Sequence, residues 1–319
     1  MEPTSPAIPA PPGPPPAPAP PRKSATLFFL TLVLLFLPGL VAQSLSRAGG
    51  IAWSELFVFF LPPVIFAAGS NLRPVALLGL GRPRARELAL AALVGVAAFL
   101  VANGVMALWS RLLPARVLRL FDVARVFDAP LGERIAIAVV ASVLAPVCEE
   151  TAFRGYLQRT IALRRSPAVA IAISALLFGV LHDPVRFPAV AVLGAVFGWL
   201  AWRSGSTWTA IMAHAVNNGL ASGFVLAEGV PRGPEAEPPL RAVLFTLGFG
   251  ALALSALMSA YRVATTPPPA TAAVVLVDPG EPSTRFSPAR VPDRLWAAAA
   301  IGIALLLAML LAARLGRAS

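Results

Sequence analysis

Stretches of about twenty apolar residues recur along almost the whole chain, joined by short arginine-bearing connections, and no other feature restricts the fold as much. A helix needs roughly 20 predominantly apolar residues to cross a bilayer. Nine stretches reach or approach that length: about 25–44, 52–70, 87–109, 133–163, 167–183, 187–203, 206–226, 239–262 and 294–314. Only 13% of the residues are charged, about half the fraction of a soluble domain, so the chain cannot cover a water-facing surface. The expected fold is all-α: a polytopic transmembrane helix bundle of 8–9 spans, integral and multi-pass, in a membrane of the bacterial plasma-membrane type.

The segments between the spans have their own signatures. Residues 1–24 are dominated by Pro and Ala, a composition that favours an extended, solvated tail. Pro62-Pro63 falls inside the second stretch and predicts a kinked or broken helix, with neighbouring helices satisfying the freed backbone groups. Residues 110–128 alternate Leu, Val and Phe with Arg111, Arg116, Arg119 and Arg125, which predicts an amphipathic helix lying in the interface. Residues 264–293 are Pro-rich and read as a linker to a last helix within 294–319.

The net charge of +11 does not point to nucleic acid, because the arginines sit in connections where they set topology and meet anionic headgroups. Their distribution favours a cytoplasmic N-terminus, apart from the arginines at 111–125. The single cysteine, Cys148, allows no intrachain disulfide and reads as a small buried apolar residue.

Ionisable residues inside spans cost about 3 kcal/mol each, so each one asks for a function. Glu149 and Glu150 stand side by side in the fourth stretch. Glu150 and Arg154 are spaced i, i+4 and can pair on one face, while Glu149 points roughly 100° away and stays free. His182 ends the fifth stretch, and His214 and Asn218 share a face of the seventh. Counted from one side of the membrane at about 1.5 Å per residue, Glu149 lies roughly 22 Å deep, His182 roughly 24 Å, Asn218 roughly 18 Å and His214 roughly 12 Å. Taken singly, each has a plainer reading: a structural ion pair for Glu150 and Arg154, a helix stop for His182 before Asp183-Pro184, interhelical glue for Asn218. Asn217 points off the His214 face and is read as structural.

A carboxylate and a histidine around one water make a general-base site, and a second histidine with an amide can donate to a developing oxyanion. That set suffices to hydrolyse an amide without a serine or cysteine nucleophile. The segments EETAFR, FGVLH and HAVNN resemble the EExxxR, FxxxH and HxxxN motifs of the CAAX protease and bacteriocin-processing family of intramembrane glutamic endopeptidases. The stretch GSTWTAIMAHAVNN is similar to that family's third-motif helix, and no motif position departs from the pattern. The resemblance covers about residues 133–226, a four-helix catalytic core assigned to 131–228, with 25–130 and 229–263 as further transmembrane regions.

The resemblance implies Glu149 as general base and His182 as its partner on the water. It implies His214 and Asn218 at the oxyanion, with Glu150 and Arg154 orienting Glu149. It implies no cofactor and a membrane-embedded or lipidated peptide or protein as substrate, CAAX-type and prenylated in some members. A zinc protease is the near alternative, although the HExxH spacing is missing. A proton-coupled transporter or a partner-binding immunity-type protein are alternatives of another class. The polar residues cluster in one block with no repeat, unlike a transporter built from two related halves.

Overall fold

The computed structural model describes residues 23–70, 73–229 and 238–266. Among them the chain is helical throughout, with no strand. Seven helices are long and apolar enough to span a membrane: α1 (Ser24–Leu45), α2 (Arg47–Ala68), α3 (Ala85–Ser110), α4 (Leu131–Ala162), α6 (Phe187–Ser204), α7 (Thr207–Glu228) and α8 (Leu240–Ala264). Between α4 and α6 lies α5 (Pro167–Val180), apolar but only 14 residues long. Eight of the nine expected stretches are thus helices of the bundle; the ninth, with the linker before it and the N-terminal tail, lies outside the described residues.

Local chemistry sets the helix ends. Ser46 and Ser166 accept the backbone N–H three residues on, Gly49 and Val169, and so start α2 and α5. Gly205 ends α6 in the left-handed region, φ 70°. Proline leaves a mark inside the spans. Pro38 lies within a π-helical stretch (Leu35–Gly39) of α1. In α2 a π-helical stretch, Glu55–Phe60, runs directly into Pro62-Pro63, so the helix is not broken there. The missing proline N–H is absorbed by widening the turn rather than by ending the helix.

The interfacial segment differs from the single amphipathic helix expected at 110–128. It folds as a short helix, Ala115–Leu120, and a 3₁₀ turn, Val123–Phe127. Phe121 leaves helical geometry between them, and the Asp122 carboxylate takes Arg125 at 3.4 Å.

Two apolar clusters meet at α6, which gives Ala189 and Leu193 to one and Val190 to the other. One joins α3, α6, α7 and α8 around Val94, Ala98, Phe197, Leu200, Ala213 and Tyr261. The other joins α1, α2, α4 and α5 around Leu32, Phe59, Ala152, Phe153 and Phe178. Backbone carbonyls tie the helix ends at each face of the bundle. On the face where α3 begins, the Gly79 carbonyl accepts Thr207 N (2.8 Å) and Arg159 Nη2 donates to Gly205 O (2.7 Å). On the other, Trp109 Nε1 donates to Pro184 O (2.9 Å) and Arg134 Nη2 to Val225 O (3.0 Å).

Candidate active site

The site is built on an irregular stretch of α4. Two π-helical segments, Val140–Leu144 and Thr151–Leu157, flank a short α-helical piece carrying Pro146, Cys148, Glu149 and Glu150. Pro146 has no N–H to give, so a carbonyl one turn back is left over; in π register, five residues back, that carbonyl belongs to Ala141. Asn218 Nδ2 of α7 donates to it at 2.9 Å. In the second widened segment the Phe153 carbonyl accepts Ser174 Oγ of α5 at 3.1 Å. Irregular turns in one helix thereby pin its two neighbours.

Glu150 is fully buried, and its Oε1 accepts Arg154 Nη1 at 3.0 Å and His214 Nδ1 at 2.8 Å. Arg154, also fully buried, donates its Nη2 to the Gly194 carbonyl of α6 at 2.9 Å. Its guanidinium carbon stands 4.5 Å from the centroid of the Phe178 ring, a cation–π contact in a dry setting. His214 lies flat on Phe197, ring centroids 5.1 Å apart. Because a carboxylate only accepts, the His214 proton sits on Nδ1, and Nε2 faces inward. Asn218 Nδ2 approaches that Nε2 at 3.1 Å. Asn217 Nδ2 donates to Asn218 Oδ1 at 3.1 Å and so fixes the orientation of the neighbouring amide.

Glu149 stands apart from this chain of bonds. Its Oε2 is 3.8 Å from His214 Nε2, beyond hydrogen-bond length, and its side chain keeps 12% of its surface open while Glu150 keeps none. His182, half-buried, donates Nδ1 to the Phe178 carbonyl of its own helix at 3.0 Å, which leaves Nε2 available. It meets the rest of the site through the Phe178 ring, 5.0 Å from His182 and 5.9 Å from His214.

Five of the six residues singled out in the sequence, Glu149, Glu150, Arg154, His214 and Asn218, therefore form one contiguous group, and His182 borders it across Phe178. One detail differs from what the resemblance implies. Glu150 and Arg154 make their hydrogen bonds to each other, to His214 and to the α6 backbone, and act on Glu149 only electrostatically. Three contributors are invisible to motif spacing. The carbonyls of Ala141 and Gly194 carry no side-chain signal. Glu55 of α2 is a buried carboxyl that interacts electrostatically with Glu149. An acidic residue inside an apolar stretch is the one signal that could have found it. Among the described residues no group of three or more His, Cys, Asp or Glu side chains is placed to hold a metal ion.

Residues 131–220 match the family model for Rce1-like proteins, described as type II CAAX prenyl endopeptidase Rce1-like. The matched segment contains all three motifs and most of the core expected at 131–228, so the family resemblance read from them is borne out there. No curated protein and no solved structure matches the chain.

Proposed function

We propose that this chain, with its Rce1-like domain at residues 131–220, is an intramembrane endopeptidase that cleaves a membrane-anchored, CAAX-type prenylated peptide with a glutamate-activated water. The observation that carries the reading is the contrast between the two adjacent carboxylates. Glu150 is sealed from solvent with its Oε1 bonded to both Arg154 and His214, whereas Glu149 is partly open beside a histidine that this buried pair holds in place.

The chemistry follows from that contrast. Water bound between Glu149 and His182 Nε2 gives a proton to Glu149 as its oxygen attacks the peptide carbonyl carbon. The carbonyl oxygen becomes an oxyanion; His214 in its imidazolium form donates Nε2–H to it and no longer accepts from Asn218, which frees an Asn218 Nδ2 hydrogen as the second donor. Glu149 then returns the proton to the amide nitrogen as the C–N bond breaks. The products are a new carboxyl terminus and a free amine, with no covalent intermediate. Glu150 and Arg154 act as positioning residues through His214.

The test is cleavage of a prenylated reporter peptide by the full chain in liposomes. Glu149→Gln and His182→Ala are expected to lose at least ~10²-fold in kcat while the protein still inserts and melts cooperatively. Full proteolysis by Glu149→Gln would remove the glutamate mechanism. Equal turnover of prenylated and unprenylated reporters would remove the lipid-dependent substrate class and leave a membrane endopeptidase of broader choice. Stoichiometric zinc in the purified protein, with activity lost on strong chelation, would replace the mechanism with a metal-assisted one.

A further inference from the structure

The carboxyl of Glu55 has no place in the mechanism above, and its setting is unusual. Its residue is 95% buried (relative exposure 5%) within the apolar α2, and its Oε2 has no hydrogen-bond partner. It forms no ion pair among the described residues; the charged group it interacts with is Glu149. Burying a carboxyl without a partner is costly, and such groups are kept where they do something.

Its position says what that could be. Glu55 opens the π-helical stretch Glu55–Phe60 of α2, which packs against the piece of α4 that carries Glu149. Phe59, one turn further and on the same side of the helix as Glu55, meets the Phe153 ring at 6.4 Å. Val58 and Phe59 share a cluster with Cys148, Ala152 and Phe178, so this face of α2 packs on α4 and α5 beside the residues that flank Glu149. The Cys148 thiol, next in sequence to Glu149, interacts electrostatically with both carboxyls.

We propose that Glu55 is a third carboxyl of the active site, a positioning residue that holds the hydrolytic water against Glu149. This rests on Glu149 being the base. A water has two hydrogens. With one directed to Glu149 and the other shared, as a three-centre hydrogen bond, between His182 Nε2 and the unpartnered Oε2 of Glu55, its lone pair is turned towards the substrate carbonyl. Glu55 accepts that hydrogen bond and gains no proton; the transferred proton goes to Glu149 and from there to the leaving nitrogen. A second carboxyl beside the base in a span is otherwise only a cost, so the arrangement has a purpose only if something polar sits between the two carboxyls.

The experiment uses the full chain in liposomes with the prenylated reporter, comparing Glu55→Ala, Glu55→Gln and Glu149→Gln. Glu55→Ala is expected to lower kcat by ~100-fold with KM within about twofold, and added formate is expected to restore activity at least ~10-fold. Glu55→Gln is expected to lose ~10-fold in kcat with an unchanged thermal midpoint. A merely structural glutamate would give no formate rescue, and its loss of activity would follow its loss of stability. Wild-type kcat in Glu55→Gln, or a folded Glu55→Ala that formate does not rescue, overturns the assignment. If Glu55→Ala does not fold, the kcat of Glu55→Gln decides alone. Glu149→Gln separates the two readings: if it is active, the base is misassigned; if it is dead while both Glu55 variants turn over normally, only Glu55 is misassigned.

Discussion

At the scale of single residues, the site depends on a charge balance that tolerates no half measures. Glu150 and Arg154 are both fully sealed from solvent, and removing one partner of such a pair leaves the other as an uncompensated buried charge. Arg154→Met should therefore cost ~3–5 kcal/mol, seen as a large fall in thermal midpoint in detergent. The double variant Glu150→Gln with Arg154→Met should recover much of that stability, because no net buried charge remains. Its activity should stay low, because the carboxylate that holds His214 Nδ1 at 2.8 Å is gone. Stability that returns without activity would separate the two duties of Glu150; activity returning with stability would show that the pair only supports the fold. Half of this arrangement is legible in the sequence. Glu150 and Arg154 are four residues apart, and helix geometry alone pairs them. The bond from Glu150 to His214 spans 64 residues and depends on how α4 and α7 pack, which no local spacing encodes. Glu55 is hidden for the same reason, since Glu149, the carboxyl it interacts with, lies on another helix.

At the scale of helices, two residues that carry no chemistry control where the chemistry sits. Gly95 of α3 lies against α7: a Cβ there would stand 2.5 Å from the Ala213 carbonyl oxygen and 3.0 Å from its Cα. Ala213 is the residue before His214, so a side chain on α3 displaces the helix that holds the histidine. Gly95→Val should destabilise by about 1–3 kcal/mol and lower kcat by more than ~10-fold. Gly223→Ala, further along α7 with open space around it, should leave kcat unchanged and stabilise the helix by up to ~1 kcal/mol. Equal effects at the two glycines would mean that the close approach of α3 and α7 is irrelevant to the site. Pro146 offers a sharper case. Pro146→Ala supplies an N–H that competes with Asn218 for the carbonyl one turn back. The variant should melt at the same or a higher temperature and yet lose ~10-fold in kcat. The extents of the helices are readable from hydropathy to within a few residues. Their π-helical turns are not, because a widened turn is chosen by which neighbour can use the freed carbonyl.

At the scale of the molecule, the short α5 is expected to set the face from which water and substrate reach the proposed centre. At 14 residues it rises only about 21 Å, against about 30 Å of hydrocarbon, so its far end and His182 stop short of a full crossing. The non-helical connection that follows carries Asp183 and Arg186, and irregular polar backbone at such depth is tolerated where protein or a water-filled cavity surrounds it. Trp109, at the far end of α3, bonds to the Pro184 carbonyl, so this connection belongs to the face where α3 ends and α4 begins. The opposite face carries Arg73, Arg82, Arg84, Arg86, Arg164 and Arg165 with Glu87 beside them, and loop carbonyls seal it against α7. Access to His182 is therefore expected from the first face. The chain is well suited to proving it, because its one cysteine, Cys148, is 1% exposed and will not compete for a water-soluble maleimide. In sealed vesicles of uniform orientation, Gly132→Cys and Pro184→Cys should label from the same side, and Gly81→Cys from the other. A bulky label at Pro184→Cys, two residues from His182, should block reporter cleavage, whereas the same label at Gly81→Cys should not. Labelling of position 184 from the Gly81 side would invert the access route. It would also place the α5 end on the arginine-rich face, in conflict with the Trp109–Pro184 bond.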